Sequence, residues 1–248
     1  MKRRRRRTRA IRRGVAAGVV IAGLVAALGW VGAPRALEHL SWFRVRQIEL
    51  VGVKNLAPDA IVTALRLPPD ASVFSDTRLL ADRLKGLNGV GDATVARRLP
   101  GTLEITLREV EPAALAPATR GGRLVVVDGK GRPLPFDPER TALDLPVAAT
   151  PDLGIAEVLA LVQSVEPTLF QEITAAKTLG RDDVLLQIGS HRVLFRRDAG
   201  PEDVRAVVLV ARDLAAKGRA YAELDARFAG QVVVRQRARR GRGGGGGA

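Results

Sequence analysis

The chain has 248 residues, 46% of them hydrophobic, with 40 Lys and Arg against 26 Asp and Glu, two His and no Cys. Without cysteine an exported body must hold together by packing alone, and the isolated His39 and His191 leave most metal chemistry without a ligand set. The formal charge of +14 suggests a nucleic-acid binder until it is partitioned. Nine basic residues (Lys2, Arg3 to Arg7, Arg9, Arg12 and Arg13) open the chain, and five more arginines fall at 235–242. What remains is 26 basic against 26 acidic residues, a neutral body with 4% aromatics, which argues against nucleic acid as a partner.

Gly14 to Ala33 carries no charge. Twenty residues rising about 1.5 Å each span roughly the 30 Å hydrocarbon layer, and a dense basic flank stays in the cytoplasm. The expectation is a basic cytoplasmic leader at 1–13, a single transmembrane helix at 14–33 in the cytoplasmic (inner) membrane, and one extracytoplasmic body. A cleaved signal would have a shorter apolar region, and its best cleavage candidate, Val31-Gly32-Ala33, runs into Pro34. Arg12-Arg13 could open a twin-arginine signal, but among so many arginines the pair says little. Gly14, Gly18 and Ala22 share one helix face as a small-xxx-small stripe; composition alone produces such spacings in an Ala/Gly-rich stretch.

In the body, Phe43 to Val51 reads as a strand whose apolar alternation slips phase between Val45 and Ile48, as a β-bulge would make it. Pro58-Asp59 opens a helix with Ile61 and Leu65 inward, ended by Leu67-Pro68-Pro69. Ser75-Asp76 caps a second helix with Leu80, Leu84 and Leu87 on its apolar face, closed by Asn88-Gly89. Two strands follow around a Pro100-Gly101 turn: Val95 lies in the first, and Leu103, Ile105 and Leu107 alternate with polar residues in the second. The order is β-α-α-β-β over about 70 residues.

These residues resemble a known family. The run Phe43-x-Val45-x-x-Ile48-x-Leu50-x-Gly52, the hairpin Arg97-x-Leu99-Pro100-x-Thr102-Leu103-x-Ile105 and the exit Arg108-Glu109-x-Glu111-Pro112-x-Ala114 look like the POTRA domain of FtsQ/DivIB proteins. The resemblance implies a POTRA domain at 43–112, a β domain at 113–236 and a septal membrane protein of bacterial cell division that performs no chemistry. The implied partners are FtsB-like and FtsL-like bitopic proteins, with other divisome membrane proteins meeting the POTRA domain. The alternatives are a POTRA-containing factor of outer-membrane biogenesis or secretion, for which POTRA repeats and a barrel are missing, and an anchored cell-wall enzyme. No nucleophile elbow, zinc motif or phosphate loop is present, so no catalytic, cofactor or metal site is expected. Glu109/Glu111 and Asp182-Asp183 read as solvated polar positions.

After Pro112, strands are expected at 114–118 and 123–127, a tight turn at Asp128-Gly129-Lys130-Gly131, and an ordered Pro-rich surface excursion from Pro133 to Pro146. Ile155, Val158, Leu159 and Val162 mark a helix before Pro167, and Val204, Val207, Val208 and Ala211 another after Pro201. Strands near 184–188 and 192–195 form a hairpin, and 221–228 with 230–235 form a last strand pair. The fold class is α+β, a mixed sheet with flanking helices. The Arg/Gly-rich stretch 237–248 cannot bury apolar area and is expected to be a disordered, solvated tail with no specific role; contact with anionic lipid or cell-wall polymer is the alternative. Leu224-Asp225-x-Arg227-Phe228 followed by Gly230 to Val234 matches the family's final strand, with Ala226 and Phe228 where the family has Leu and Tyr. The resemblance implies an open sheet edge to which a partner adds a strand. The implied partner-binding residues are Arg181, Arg227, Phe228, Gly230, Val232, Val233 and Val234, with both arginines meeting partner carboxylates. A purely structural alternative makes Val232 to Val234 sheet core and Phe228 packing.

Overall fold

The computed structural model describes residues 41–118, 122–139 and 143–236. Among them no helix is long and apolar enough to cross a membrane. The leader, the transmembrane segment expected at 14–33 and the stretch 237–248 lie outside the described residues. The described residues fall into two units, 41–53 with 58–108 and 54–57 with 109–236.

The first unit has the order β1 (Gln47–Val51), α1 (Pro58–Leu65), α2 (Thr77–Lys85), β2 (Val90–Arg98) and β3 (Thr102–Glu109), with the strands ordered β1-β3-β2. Alternation in β3 buries Leu103, Ile105 and Leu107, and the apolar faces of the two helices bury Ile61, Leu65, Leu80 and Leu84 in the same unit. Asp76 caps α2, its carboxylate accepting from the Arg78 and Leu79 amides at 2.9 and 3.3 Å. Two local expectations are corrected. Phe43 to Val51 is no bulged strand: Ser41–Phe43 is a 3-10 turn, Arg44 makes an isolated bridge to Ser72, and β1 begins only at Gln47 with an unshifted parallel register on β3. The phase slip in the sequence marks that interruption. Helix α2 closes earlier than Asn88-Gly89, at Gly86, whose amide reaches the Asp82 carbonyl.

The second unit is built on one eight-stranded mixed sheet. Its strands are β4 (Pro112–Pro117), β5 (Leu124–Asp128), β6 (Val147–Ala148), β7 (Ile173–Leu179), β8 (Asp183–Ile188), β9 (His191–Arg196), β10 (Glu223–Phe228) and β11 (Gln231–Arg235), in the order β11-β10-β9-β8-β7-β6-β4-β5. Helices α3 (Leu153–Val165), α4 (Pro167–Gln171) and α5 (Pro201–Ala216) contribute Ile155, Leu159, Phe170, Val204 and Val207 to the core that Val184, Leu186, Phe195 and Leu224 build from the sheet. The α5 crossover makes β9 and β10 parallel, and the tight Ala229-Gly230 turn, with Gly230 at φ 70°, makes β10 and β11 antiparallel.

Three features of this unit depart from the expectations. Strands β6 and β7 and helix α4 were not foreseen. The Pro-rich stretch from Pro133 is more than a surface excursion, since Leu134 and Phe136 are buried. Glu109 is no solvated carboxylate: it accepts from the backbone amides of Lys54, Asn55 and Leu56 and from the Asn55 side chain, at 2.8 to 3.0 Å. Those bonds tie the short piece 54–57 to the start of this unit.

Candidate partner-binding edge

Among the described residues strand β11 is an outer strand of the sheet, bonded to β10 on one side only. The Arg235 carbonyl accepts from the Ala222 amide at 2.9 Å, so Arg235 turns its backbone groups toward β10. Backbone direction alternates along a strand, which turns Val233 inward as well and leaves the N–H and C=O groups of Val232 and Val234 pointing away from the sheet. Val233 and Val234 are exposed, Phe228 is 51% exposed at the hairpin turn, and Val232 packs partly against the core. The edge therefore offers outward backbone groups flanked by apolar side chains, the combination that pairs with an added strand.

The support of this edge is electrostatic. The Asp225 carboxylate has no exposure to solvent, yet it lies on β10 directly opposite Val233. Arg227 grips it as a fork, Nε to Oδ1 and Nη2 to Oδ2 at 2.7 Å each, and sends Nη1 to Asp183 Oδ2 on β8 at 2.6 Å. Arg235 of β11 adds Nη2 to Asp225 Oδ2 at 3.3 Å and approaches Glu223 at 3.4 Å. Arg192 of β9 holds the other Glu223 oxygen at 3.1 Å. The Arg227 hydrogen bonds hold the Asp225 carboxyl below the ordinary carboxylate range against the opposing effect of burial, and the same pairs push the Arg227 guanidinium up. A register shift between Asp225 and Phe228 gives β10 one extra residue there.

The structure thus brings Phe228, Gly230 and Val232 to Val234 together on one exposed hairpin. Arg181 is exposed in the β7–β8 turn, at the end of the sheet where Asp183 of β8 lies opposite Arg196 of β9. Arg227 does not stand free for a partner: its three donor nitrogens are engaged by Asp225 and Asp183, so the expectation that it meets partner carboxylates is corrected to a brace within the sheet. Asp183, read from the sequence as a solvated turn residue, is the far end of that brace. Sequence reasoning missed Asp183, Asp225 and Glu223; the one available signal was three acids on strands that otherwise bury apolar residues.

The strand and helix order of the first unit is that of a POTRA domain, and the second unit is a mixed-sheet domain whose last described strand, β11, lies at the sheet's edge. Residues 43–109 match the family described as the FtsQ-type POTRA domain. The chain is 34% identical over 152 residues to the cell division protein FtsQ of Anaeromyxobacter sp. (strain K), covering 58% of this chain and 48% of that protein. It is 27% identical over 228 residues to FtsQ of Zymomonas mobilis, covering 87% and 71%, and 24% identical over 252 residues to FtsQ of Salinibacter ruber, covering 89% and 91%. For several of these relatives, the Anaeromyxobacter and Mycobacterium tuberculosis proteins among them, the chain spans about half of their length or less. The resemblance drawn from the motifs holds: this chain is a relative of the FtsQ cell-division proteins and carries their type of POTRA domain.

Proposed function

We propose that the chain is a non-enzymatic scaffold of bacterial septation, anchored by 14–33 in the cytoplasmic membrane with its body outside. The POTRA unit meets other divisome membrane proteins, and β11 captures an extended segment of a small bitopic partner of the FtsB or FtsL kind. The observation that carries this reading is β11 itself, an outer strand with outward backbone groups at Val232 and Val234 beside exposed Phe228 and Val233. Main-chain pairing supplies affinity in such an arrangement, and the alternate side chains supply specificity. The relatives named as cell division proteins support the cellular role.

Two experiments test it. A fluorescent fusion of the full chain should form midcell rings, and depletion should produce filamentous cells; diffuse envelope signal with normal division contradicts the role. Co-expression of the full chain with the FtsB-like protein of the same organism should give a stable complex that Val234→Pro abolishes, because proline removes an outward amide without taking a bond from β10. Unchanged co-purification by that variant, folded as judged by circular dichroism, moves the docking site elsewhere.

A further inference from the structure

At the end of the POTRA sheet where β1 and β3 begin and β2 finishes, apolar side chains stand in water beside unpaired arginines. Trp42, in the Ser41–Phe43 turn, is 66% exposed, and Leu99, in the β2–β3 turn, is 62% exposed. Arg46 ties the two turns together. Its amide donates to the Gly101 carbonyl at 2.8 Å, its Nη2 donates to the Trp42 carbonyl at 3.4 Å, and its guanidinium lies over the Trp42 ring, 5.8 Å from the centroid. Gly101 leaves room for this, since a Cβ there would stand 2.8 Å from Arg46 Nε. Phe43 meets Phe74 edge to face at 5.2 Å, and its carbonyl accepts from the Val73 amide at 2.9 Å. Trp42 is therefore fixed to the body of the unit. The charge here is positive. Arg44 and Arg46 are exposed and make no ion pair among the described residues, and Arg97 donates to the Val73 and Ser75 carbonyls. Of the nearby acids, Glu49 and Glu104 are bridged by Arg98, and Asp76 caps α2.

An exposed Trp, an exposed Leu and free arginines are the side chains that favour a membrane–water interface, where the ring sits at headgroup level and the cation meets lipid phosphate. The place of this end in the chain says which surface it meets. Trp42 comes nine residues after Ala33, the last residue of the apolar stretch, and nine residues reach at most about 32 Å. We infer that this end of the POTRA unit seats on the anionic lipid surface of the membrane that anchors the chain, with Trp42 and Leu99 at headgroup level and Arg44 and Arg46 on lipid phosphates. This rests on the proposed anchor at 14–33 and adds an orientation to it. Trp42 alone would be held near the bilayer by its tether; Leu99, 57 residues further along, gives a second point of contact that the tether does not supply. Two points set the sheet with β1 and β3 running away from the lipid.

The test uses the full chain in vesicles of phosphatidylcholine mixed with phosphatidylglycerol. The chain has no Cys, so Leu99→Cys gives one site for an environment-sensitive fluorophore. Val51→Cys puts the same label at the far end of β1, about 13 Å beyond Gln47. Brominated lipid should quench the label at 99, while the label at 51 stays open to an aqueous quencher. The lipid quenching at 99 should weaken in phosphatidylcholine alone and toward about 1 M salt. Arg44→Gln, which removes no side-chain bond within the unit, should shift the docked-to-undocked ratio about fivefold toward undocked, and Arg44→Gln with Arg46→Gln about thirtyfold. In a chain that resists carbonate extraction, a label at 99 as open to the aqueous quencher as the label at 51 overturns the inference and leaves the anchor standing. Equal lipid quenching of both labels, or an unchanged ratio in both arginine variants, also overturns it. If lipid alone leaves position 99 in water and only native membranes shield it, a protein covers this end and the inference falls. A chain that carbonate releases from the vesicles overturns the anchor, and the lipid docking with it.

Discussion

Replacing Arg227 by Ala tests the brace beneath the edge strand. The substitution leaves Asp225, which has no solvent exposure, with the Arg235 nitrogen and the backbone amide of residue 227, each at 3.3 Å, and it frees Asp183 as well. Breaking a buried pair by removing one partner costs about 3–5 kcal/mol. Arg235 and the backbone amide of residue 227 retain part of the interaction, which puts this case near about 3 kcal/mol. For a unit of this size that is a fall in melting temperature of about 10 °C. Because Asp225 titrates below the ordinary carboxylate range in the fold, its contribution is present at neutral pH and lost as the pH falls through the folded value. Without the Arg227 side chain the largest lowering influence is gone and that value rises, so acid unfolding of the variant should begin at higher pH than in the parent. Arg227→Lys keeps the charge but not the fork and should fall between the two. The assay is hydrogen exchange read at the β10–β11 peptides, with thermal unfolding alongside. A variant that matches the parent in β10–β11 protection and melting temperature would refute the brace and return Arg227 to the surface as a partner contact.

Other substitutions probe the remaining elements. Ile105→Ala should destabilise the POTRA unit by about 2–5 kcal/mol in urea unfolding, since Ile105 is fully buried on β3; an unchanged midpoint would invert the strand's register. Asp76→Ala removes the α2 cap and should cost about 0.5–2 kcal/mol by the same measurement. Gly52 has φ 82° and a Cβ there would sit against the Leu107 carbonyl, so Gly52→Ala should lower the melting temperature more than a surface Gly→Ala such as that at Gly86. A periplasm-only reporter fused after Val234 should be active and one fused within the first thirteen residues silent, with an active leader fusion reversing the expected topology.

Much of this architecture is legible because it rests on local chemistry. Alternation at Leu103, Ile105 and Leu107, the Asp76 cap and the apolar spacing of Ile155 to Val162 each declare an element within a few residues. Strand β7 escaped because Ile173-Thr174-Ala175-Ala176-Lys177-Thr178-Leu179 has two alanines where a strand signal needs bulk; it becomes a strand through its pairing with β8. Strand β6 has only two residues, and Pro167 stopped one helix in the sequence while starting another in the fold. The edge itself was legible only through the family's final motif. Its brace was not, because Asp183 and Arg227 lie 44 residues apart and a sequence does not show which cation meets which carboxylate.

The most direct test of the account is residue-resolved amide hydrogen exchange on the full chain, alone and in complex with the co-expressed FtsB-like protein. Strand capture predicts strong protection of the Val232 and Val234 amides on binding, with Val233 and Arg235 already protected in the free chain by their bonds to β10. A stable complex in which Val232 and Val234 exchange as fast as before would contradict the claim that β11 is where the partner is held.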